Sequence, residues 1–339
     1  MTHDSRFNPA VPEHPFAPFV RILGKGKTGT RSLTREEARE AFGMVLRGEV
    51  EELQLGAFLM LLRVKEETGE ELAGFVQACR DEMTSPPEGL QADLDWSSYA
   101  GKRHQHPWYL LSALLLAEAG HRVFIHGSGG HTPGRLYTEH AMTELALPIA
   151  ASWQDVDTQL SGEGISYLSL AHFIPRLHHI MQLKPILGLR SPVNTLTRML
   201  NPLACPASLQ SIFHPAYGEL HRTTDRLLGQ QRSLVFKGDS GEVEIKPQAD
   251  TRLQLLVNAQ SSELTLPRRI DGRVASVEAP SVAPLRELWQ GRRDDPYGEL
   301  ATLATAAVAL LTMDEAPDLD SAHAMASSLW QARRRERLG

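Results

Sequence analysis

The chain has 339 residues, 42% of them hydrophobic, a net charge of −6 and two cysteines. That length admits two domains, and the apolar content can fill a real core. Two cysteines exclude a disulfide framework and a cysteine-built zinc site, no run reaches the roughly 18 apolar residues of a bilayer span, and the polar, proline-rich start is unlike a secretion signal.

The chain therefore reads as a cytoplasmic protein with no membrane partner. Residues 1–18 read as a flexible start. GKGKTGTRS, residues 24–32, reads as an exposed loop carrying Lys25, Lys27 and Arg31. Thr34 with Glu37 forms a capping box that opens a helix over 35–47, which Gly48 stops. Residues 53–64 are so apolar that burial on most sides is expected. Thr68 with Glu71 repeats the capping box and opens a third helix through Glu82, with Cys79 read as core. Ser85, Pro86 and Pro87 then mark a linker.

Residues 93–130 read as strand, turn, helix, strand and glycine-rich turn, which is a βαβ crossover. In such a sheet, ligands sit where strands end and helices begin, so the turns at 99–106 and 127–134 matter most. The first of them is basic, with Lys102, Arg103 and His104 where a phosphate loop would be rich in glycine. A helix over 135–147, a turn at 160–164, a strand over 165–170 and a helix over 171–183 follow. Ser191 with Pro192 is a helix start that sets Asn194 and Arg198 on one face. Residues 171–203 hold Arg176, Lys184, Arg190 and Arg198 and no acidic residue at all. A helix over 214–228 precedes strands at 233–236, 243–245 and 253–257, with GDSG as the first turn and Glu242 and Glu244 on one face. Helices at 285–290, 300–313 and 321–334 close the chain. The pairs His104 with His106 and His178 with His179 lack supporting ligands, and read as phosphate-contacting or exposed rather than metal-bound.

Together, GEV (48–50), LGAFLMLLRVK (55–65), ETGEELAGF (67–75), IHG (125–127), LGLRSPVN (187–194) and LNP (200–202) resemble the anthranilate phosphoribosyltransferase family over most of the chain. The resemblance implies a class II nucleoside phosphorylase-like fold. It comprises a small all-α helical domain over 19–84, completed by about 172–203, and a large α/β domain over 88–170 and 204–339 with a central, mostly parallel sheet. It also implies a homodimer through the helical domain.

The departures from the family pattern suggest a change of role. The family binds phosphoribosyl pyrophosphate with a GTGGD loop followed by a helix beginning NIST, but this chain has SSYAGKRHQHPWYLL and retains only Gly101. In the family's KHGNRS loop, His126 and Gly127 match while Ser128, Gly129 and Gly130 replace the rest. Tyr99, Gly101, His126, Gly127, Ser128 and Asn194 thus outline a vestigial phosphoribosyl-pyrophosphate pocket. The family's adjacent Asp and Glu, which hold a metal, fall on Gly241 and Glu242, leaving Glu242 and Glu244 as weak metal candidates. No cofactor is expected, and magnesium only if the chain is a transferase. Thr197 and Arg198 replace a Gly-Pro bend. This pattern is similar to a second, YbiB-like branch, and implies sequence-independent binding of single-stranded DNA or RNA. The phosphate contacts would be Lys25, Lys27, Arg31, Lys102, Arg103, His104, Lys184, Arg190 and Arg198, with Tyr99 or Trp108 stacking on a base. No catalytic set emerges under that reading. The alternative is a pentosyl or phosphoribosyl transferase acting on anthranilate or another small aromatic substrate.

Overall fold

The computed structural model describes residues 12–26 and 28–339, so Lys27 and the first eleven residues of the expected flexible start lie outside it. The rest of that start is partly built in. Phe16 is fully buried and packs edge-on against Phe58, and α1 (Ala17–Gly24) begins at the next residue. Helices α2 (Arg35–Leu46), α3 (Glu52–Lys65) and α4 (Gly69–Glu82) follow, and both Thr capping boxes form. Helices α2 and α4 cross closely at Gly74, where a Cβ would lie 2.3 Å from the Arg35 carbonyl oxygen. Burial of 53–64 is incomplete: Leu53 and Val64 are 82% and 81% exposed, while Leu55, Phe58, Leu59 and Leu62 face the core.

The α/β part runs β1 (Leu94–Ser98), α5 (Tyr109–Glu118), β2 (Val123–Gly127), α6 (Thr138–Glu144), β3 (Ile149–Ala150), α7 (Trp153–Glu163) and β4 (Ile165–Ser169). Short helices α8 (Leu170–Phe173), α9 (Pro175–Met181), α10 (Lys184–Leu187) and α11 (Val193–Leu196) then return to the helical domain. Leu177, Ile180, Val193 and Leu196 join its core beside Phe42 and Phe75. The chain re-enters the sheet with β5 (Ala207–Ile212), α12 (Tyr217–Leu227), β6 (Arg232–Lys237), β7 (Thr251–Val257) and β8 (Gln260–Leu266). It ends in α13 (Ala283–Trp289), α14 (Pro296–Met313) and α15 (Leu319–Ala332).

The eight strands lie in the order β3-β4-β2-β1-β5-β6-β7-β8. Strands β1 to β6 pair in parallel and the last two antiparallel. From β1 the chain winds outward through β2 on one side, then returns to β5 on the other. The C-terminal end of β1 is therefore a topological switch point, where an open α/β sheet leaves a crevice. Helix α5, with nearly every residue buried, and α14 cover one face of the sheet, joined where Ser112 Oγ donates to the Thr302 carbonyl at 2.8 Å.

Several local expectations change, and the single helix expected over 171–183 is broken at Ile174 into α8 and α9. Residues 243–245 form no strand, although Val243 and Ile245 are buried. The helix expected over 135–147 contracts to α6, because Leu136 is held in a bridge with Lys102. Ser191 makes no cap, and Pro192 stands at the N-cap of α11. Helix α7 occupies residues expected in part as a turn.

Candidate functional site

The loop leaving β1 brings together two kinds of site at the crevice, one closed and one open. On the closed side, Gly101 sits at φ +69°, and a Cβ there would press at 3.1 Å on Arg135 and Tyr137. A side chain would be strained twice over. The turn aims two backbone N–H groups at one point, as a phosphate cradle would. Their acceptor is a side chain of the same protein: Glu242 Oε1 takes the Ala100 N–H at 2.6 Å and the Gly101 N–H as well. Glu242 Oε2 accepts from Ser98 Oγ at 2.7 Å, and the carboxylate is fully buried.

Lys102 follows in the chain and is wholly buried. Its ammonium donates to Asp239 Oδ2 and Glu244 Oε1. The other Glu244 oxygen accepts the Tyr109 N–H at 2.9 Å, at the electropositive start of α5. Lys246 Nζ stands 3.3 Å from Asp239 Oδ1. Burial alone would lower the Lys102 ammonium, but the two carboxylates outweigh it and hold the group above its ordinary value. Asp239 is drawn below the usual carboxylate range: burial opposes the change, but Lys102 and Lys246 prevail. Burial pushes Glu244 up to about 7, with Lys102 partly opposing.

Behind this loop, Tyr99 Oη and His126 Nδ1 are 2.6 Å apart, and His126 Nε2 lies 3.1 Å from Asp95 Oδ1. His126 is therefore spent inside the sheet, and Ser128 Oγ is bonded to His178 Nδ1 at 3.0 Å.

The open side is a cavity of about 160 Å³ between the helical and α/β parts. Arg63 from α3, Tyr99 and Ala100 from the loop, Arg190, Asn194 and Arg198 from the α10–α11 segment, and His214, Tyr217 and His221 around the start of α12 line it, with His131. Arg198 donates to the Ser211 and Gly241 carbonyls at 2.8 Å each, and burial lowers its guanidinium below the ordinary value. Arg190 reaches only Thr132 Oγ1, at 3.5 Å, and has no carboxylate partner among the described residues. His131 Nε2 is 2.7 Å from the Tyr99 carbonyl and must donate to it, which fixes the neutral tautomer. Burial pushes His131 down to about 4, so at neutral pH the arginines carry the positive charge of the pocket.

Of the nine cations expected to form one track, Lys27 lies outside the described residues and the other eight do not converge. Lys102 is sealed away, and Arg31 is held bidentately by Glu37 at 2.6 and 2.7 Å. Lys25, Arg103 and His104 are exposed, and the latter two line a separate cleft with Arg135 and His140. Lys184 lies on α10 outside the pocket lining, leaving only Arg190 and Arg198 together. Nor are the expected stacking rings available, because Tyr99 and Trp108 are 2% and 1% exposed. Of the vestigial pocket residues, Tyr99 and Asn194 reach the open cavity, whereas Gly101, His126, Gly127 and Ser128 do not line it. Sequence reasoning missed Asp239, Lys246, Arg63, His131 and His221. GDSG was legible as a turn, yet nothing local marks its aspartate as the partner of a lysine 137 positions earlier.

As a metal site the carboxylates do not fit. Glu242 is saturated by loop donors, and Lys102 already stands between Asp239 and Glu244. Among the described residues, no group of three or more His, Cys, Asp or Glu side chains is arranged to hold a metal ion. No described helix is long and apolar enough to cross a membrane.

The model of the glycosyl transferase family helical bundle domain matches residues 19–83. The chain is 29% identical to the Escherichia coli protein YbiB over 70% of its own length and 75% of that protein. It is 28% identical to anthranilate phosphoribosyltransferase from Methylocella silvestris, over 88% and 86% of the two chains. The solved anthranilate phosphoribosyltransferase of Thermus thermophilus superposes with a TM-score of 0.76 at 22% identity, covering 92% of this chain and 94% of that one. The enzyme from Saccharomyces cerevisiae in complex with PRPP and Mg superposes at 0.78 and 14% identity, covering 96% and 97%. The Methylocella silvestris, Thermus thermophilus and yeast proteins are named as anthranilate phosphoribosyltransferases, and the yeast enzyme was solved with PRPP and Mg. They overturn the expectation of single-stranded DNA or RNA as partner, as does the dispersal of the cations. The helical bundle and the switch-point crevice agree with these matches: the chain has the fold of anthranilate phosphoribosyltransferases and is similar in sequence both to those enzymes and to YbiB.

Proposed function

We propose that this protein is a phosphoribosyltransferase-type enzyme whose open pocket takes a small aromatic acceptor bearing a carboxylate, anthranilate or a close analogue. The observation that carries this is Arg190, a guanidinium without a carboxylate partner among the described residues, at a cavity of about 160 Å³. A volume below the roughly 300 Å³ of drug-sized sites suits a single ring, and a planar guanidinium binds a carboxylate with two parallel N–H donors. Asn194 and Tyr217 add polar groups to orient the ring substituents. Arg63 stands at the same wall, 3.5 Å from Tyr217 Oη.

The reaction class is pentosyl transfer. The acceptor's amine nitrogen forms a bond to C1 of the ribosyl group as the bond from C1 to the leaving oxygen breaks. The electron pair departs with the leaving group, and the amine proton passes to solvent. Positioning supplies the rate enhancement, since a bound neutral amine is already a nucleophile. The yeast enzyme was solved with PRPP and Mg. In this chain the Ala100 and Gly101 amides are held by Glu242, so the anionic end of the donor needs other contacts.

Titration of anthranilate into the protein, followed by its intrinsic fluorescence, tests the acceptor half. Saturable binding is expected, weakened at least tenfold in Arg190→Ala. Mass spectrometry of a mixture with PRPP, in the presence and absence of magnesium, tests transfer. A folded protein that binds neither anthranilate nor other aromatic carboxylates refutes the proposal.

A further inference from the structure

The closed side of the crevice has the parts of an ion site with both ions supplied by the protein. Two loop N–H groups and the Ser98 hydroxyl converge on the Glu242 carboxylate, where an external anion would otherwise be cradled. Two further carboxylates, Asp239 and Glu244, converge on one ammonium, where an external cation would otherwise be held. Lys102 and Glu242 have no side-chain exposure to solvent, so neither charge is a surface accident. A buried charge persists only when paired and hydrogen-bonded. Lys102 is ion-paired, and Glu242 hydrogen-bonded, by residues more than 130 positions away in the chain.

We propose that Lys102 and Glu242 replace, respectively, the divalent cation and the diphosphate anion of this crevice, so that the loop site is complete without a metal and closed to inorganic diphosphate. Lys102 is tethered to the same loop whose amides Glu242 occupies, so the two substitutions act as one latch. Withdrawing Glu242 exposes the Ala100 and Gly101 N–H groups. Withdrawing the Lys102 ammonium leaves a gap between Asp239 Oδ2 and Glu244 Oε1, with Lys246 only at the far oxygen of Asp239, and hard oxygen ligands of that kind attract Mn²⁺ or Mg²⁺ completed by water. The inference concerns ions only and does not depend on which acceptor the open pocket takes.

Two titrations of the full chain test it. In the first, Mn²⁺ is followed by electron paramagnetic resonance and by thermal unfolding. The parent is expected to show no stoichiometric binding in the low millimolar range and no change in Tm. Lys102→Met is expected to bind one Mn²⁺ with a saturable rise in Tm, abolished by adding Glu244→Gln. In the second, inorganic diphosphate is titrated calorimetrically without metal. Glu242→Ala is expected to bind at least tenfold more tightly than the parent, and this arm stands even if Lys102→Met fails to fold. One Mn²⁺ per parent chain, lost in Glu244→Gln, would overturn the proposal. So would diphosphate binding as tight in the parent as in Glu242→Ala.

Discussion

The two sides of the crevice differ in what was done with their charges. On the loop side, the charges are satisfied inside the protein: Glu242 by hydrogen bonds from the loop amides and Ser98, Lys102 by Asp239 and Glu244, all fully or nearly buried. On the pocket side, Arg190 and Arg198 face a cavity with no carboxylate in its lining. A matched buried cluster makes a rigid wall, whereas unmatched guanidiniums at a concave surface make a binding site. The same substitution type, a basic residue placed near the end of a strand or helix, thus gives opposite outcomes according to what lies opposite it.

The largest effect separating the two sides is expected from Lys102→Met. Removing one member of a buried ionic cluster leaves the others uncompensated, at a cost of roughly 3–5 kcal/mol. Urea denaturation in metal-free buffer should show this loss, and Lys102→Met with Glu244→Gln should recover part of it. A change below about 1 kcal/mol would mean that the cluster is not the rigid wall described here.

The next effect is set by pH. Burial holds His131 at about 4, while an unfolded histidine titrates near 6.5. The unfolded chain therefore binds the proton first. The stabilisation from the neutral ring is fully present above about pH 6.5 and is lost as pH falls toward 4, by about 3 kcal/mol in all. His131→Gln keeps a donor for the Tyr99 carbonyl and cannot titrate. Its stability between pH 6.5 and 4 should fall less steeply than that of the parent, and identical slopes would remove His131 from the account. His221, held at about 3 by burial with Arg198 adding, works in the same direction.

A sharper contrast comes from Arg190→Ala. It should weaken binding of an aromatic carboxylate at least tenfold while moving the unfolding midpoint little, because Arg190 is half-buried and makes only one long hydrogen bond. Equal losses in binding and stability would assign Arg190 to the wall rather than to the pocket.

The legible parts of this molecule were those whose causes are local. Both capping boxes lie within four residues, and hydrophobic runs ended by glycine gave β1, α5 and β2 their places. The β8 hairpin escaped because its residues are nearly all exposed and carry little alternation, and its turn relies on Asn258 and Ala259 at positive φ. At the site, the glycine-poor loop was read as a change of role that the relatives do not support, because a lysine in a polar stretch reads as solvent-facing. Only the folded sheet sets Lys102 against Asp239 and Glu244, so its charge pointed toward an external phosphate that its burial excludes. Arg31 misled in the same way, since Glu37 serves both its own capping box and that guanidinium.

The smallest expected effect is at Arg103, one residue beyond Lys102. Its side chain is exposed and has no ion-pair partner among the described residues, so Arg103→Ala should change stability by less than about 0.5 kcal/mol. It lines the cleft with Arg135 and His140 rather than the cavity with Arg190. In ordinary salt, an exposed charge acts only over about 8–10 Å. Carboxylate binding should therefore remain within about twofold of the parent at 0.15 M salt, with any difference growing only as the salt is lowered. A tenfold loss that persists at high salt would join the two clefts into a single ligand site, and the division between closed wall and open pocket would then have to be redrawn on the far side of Gly101.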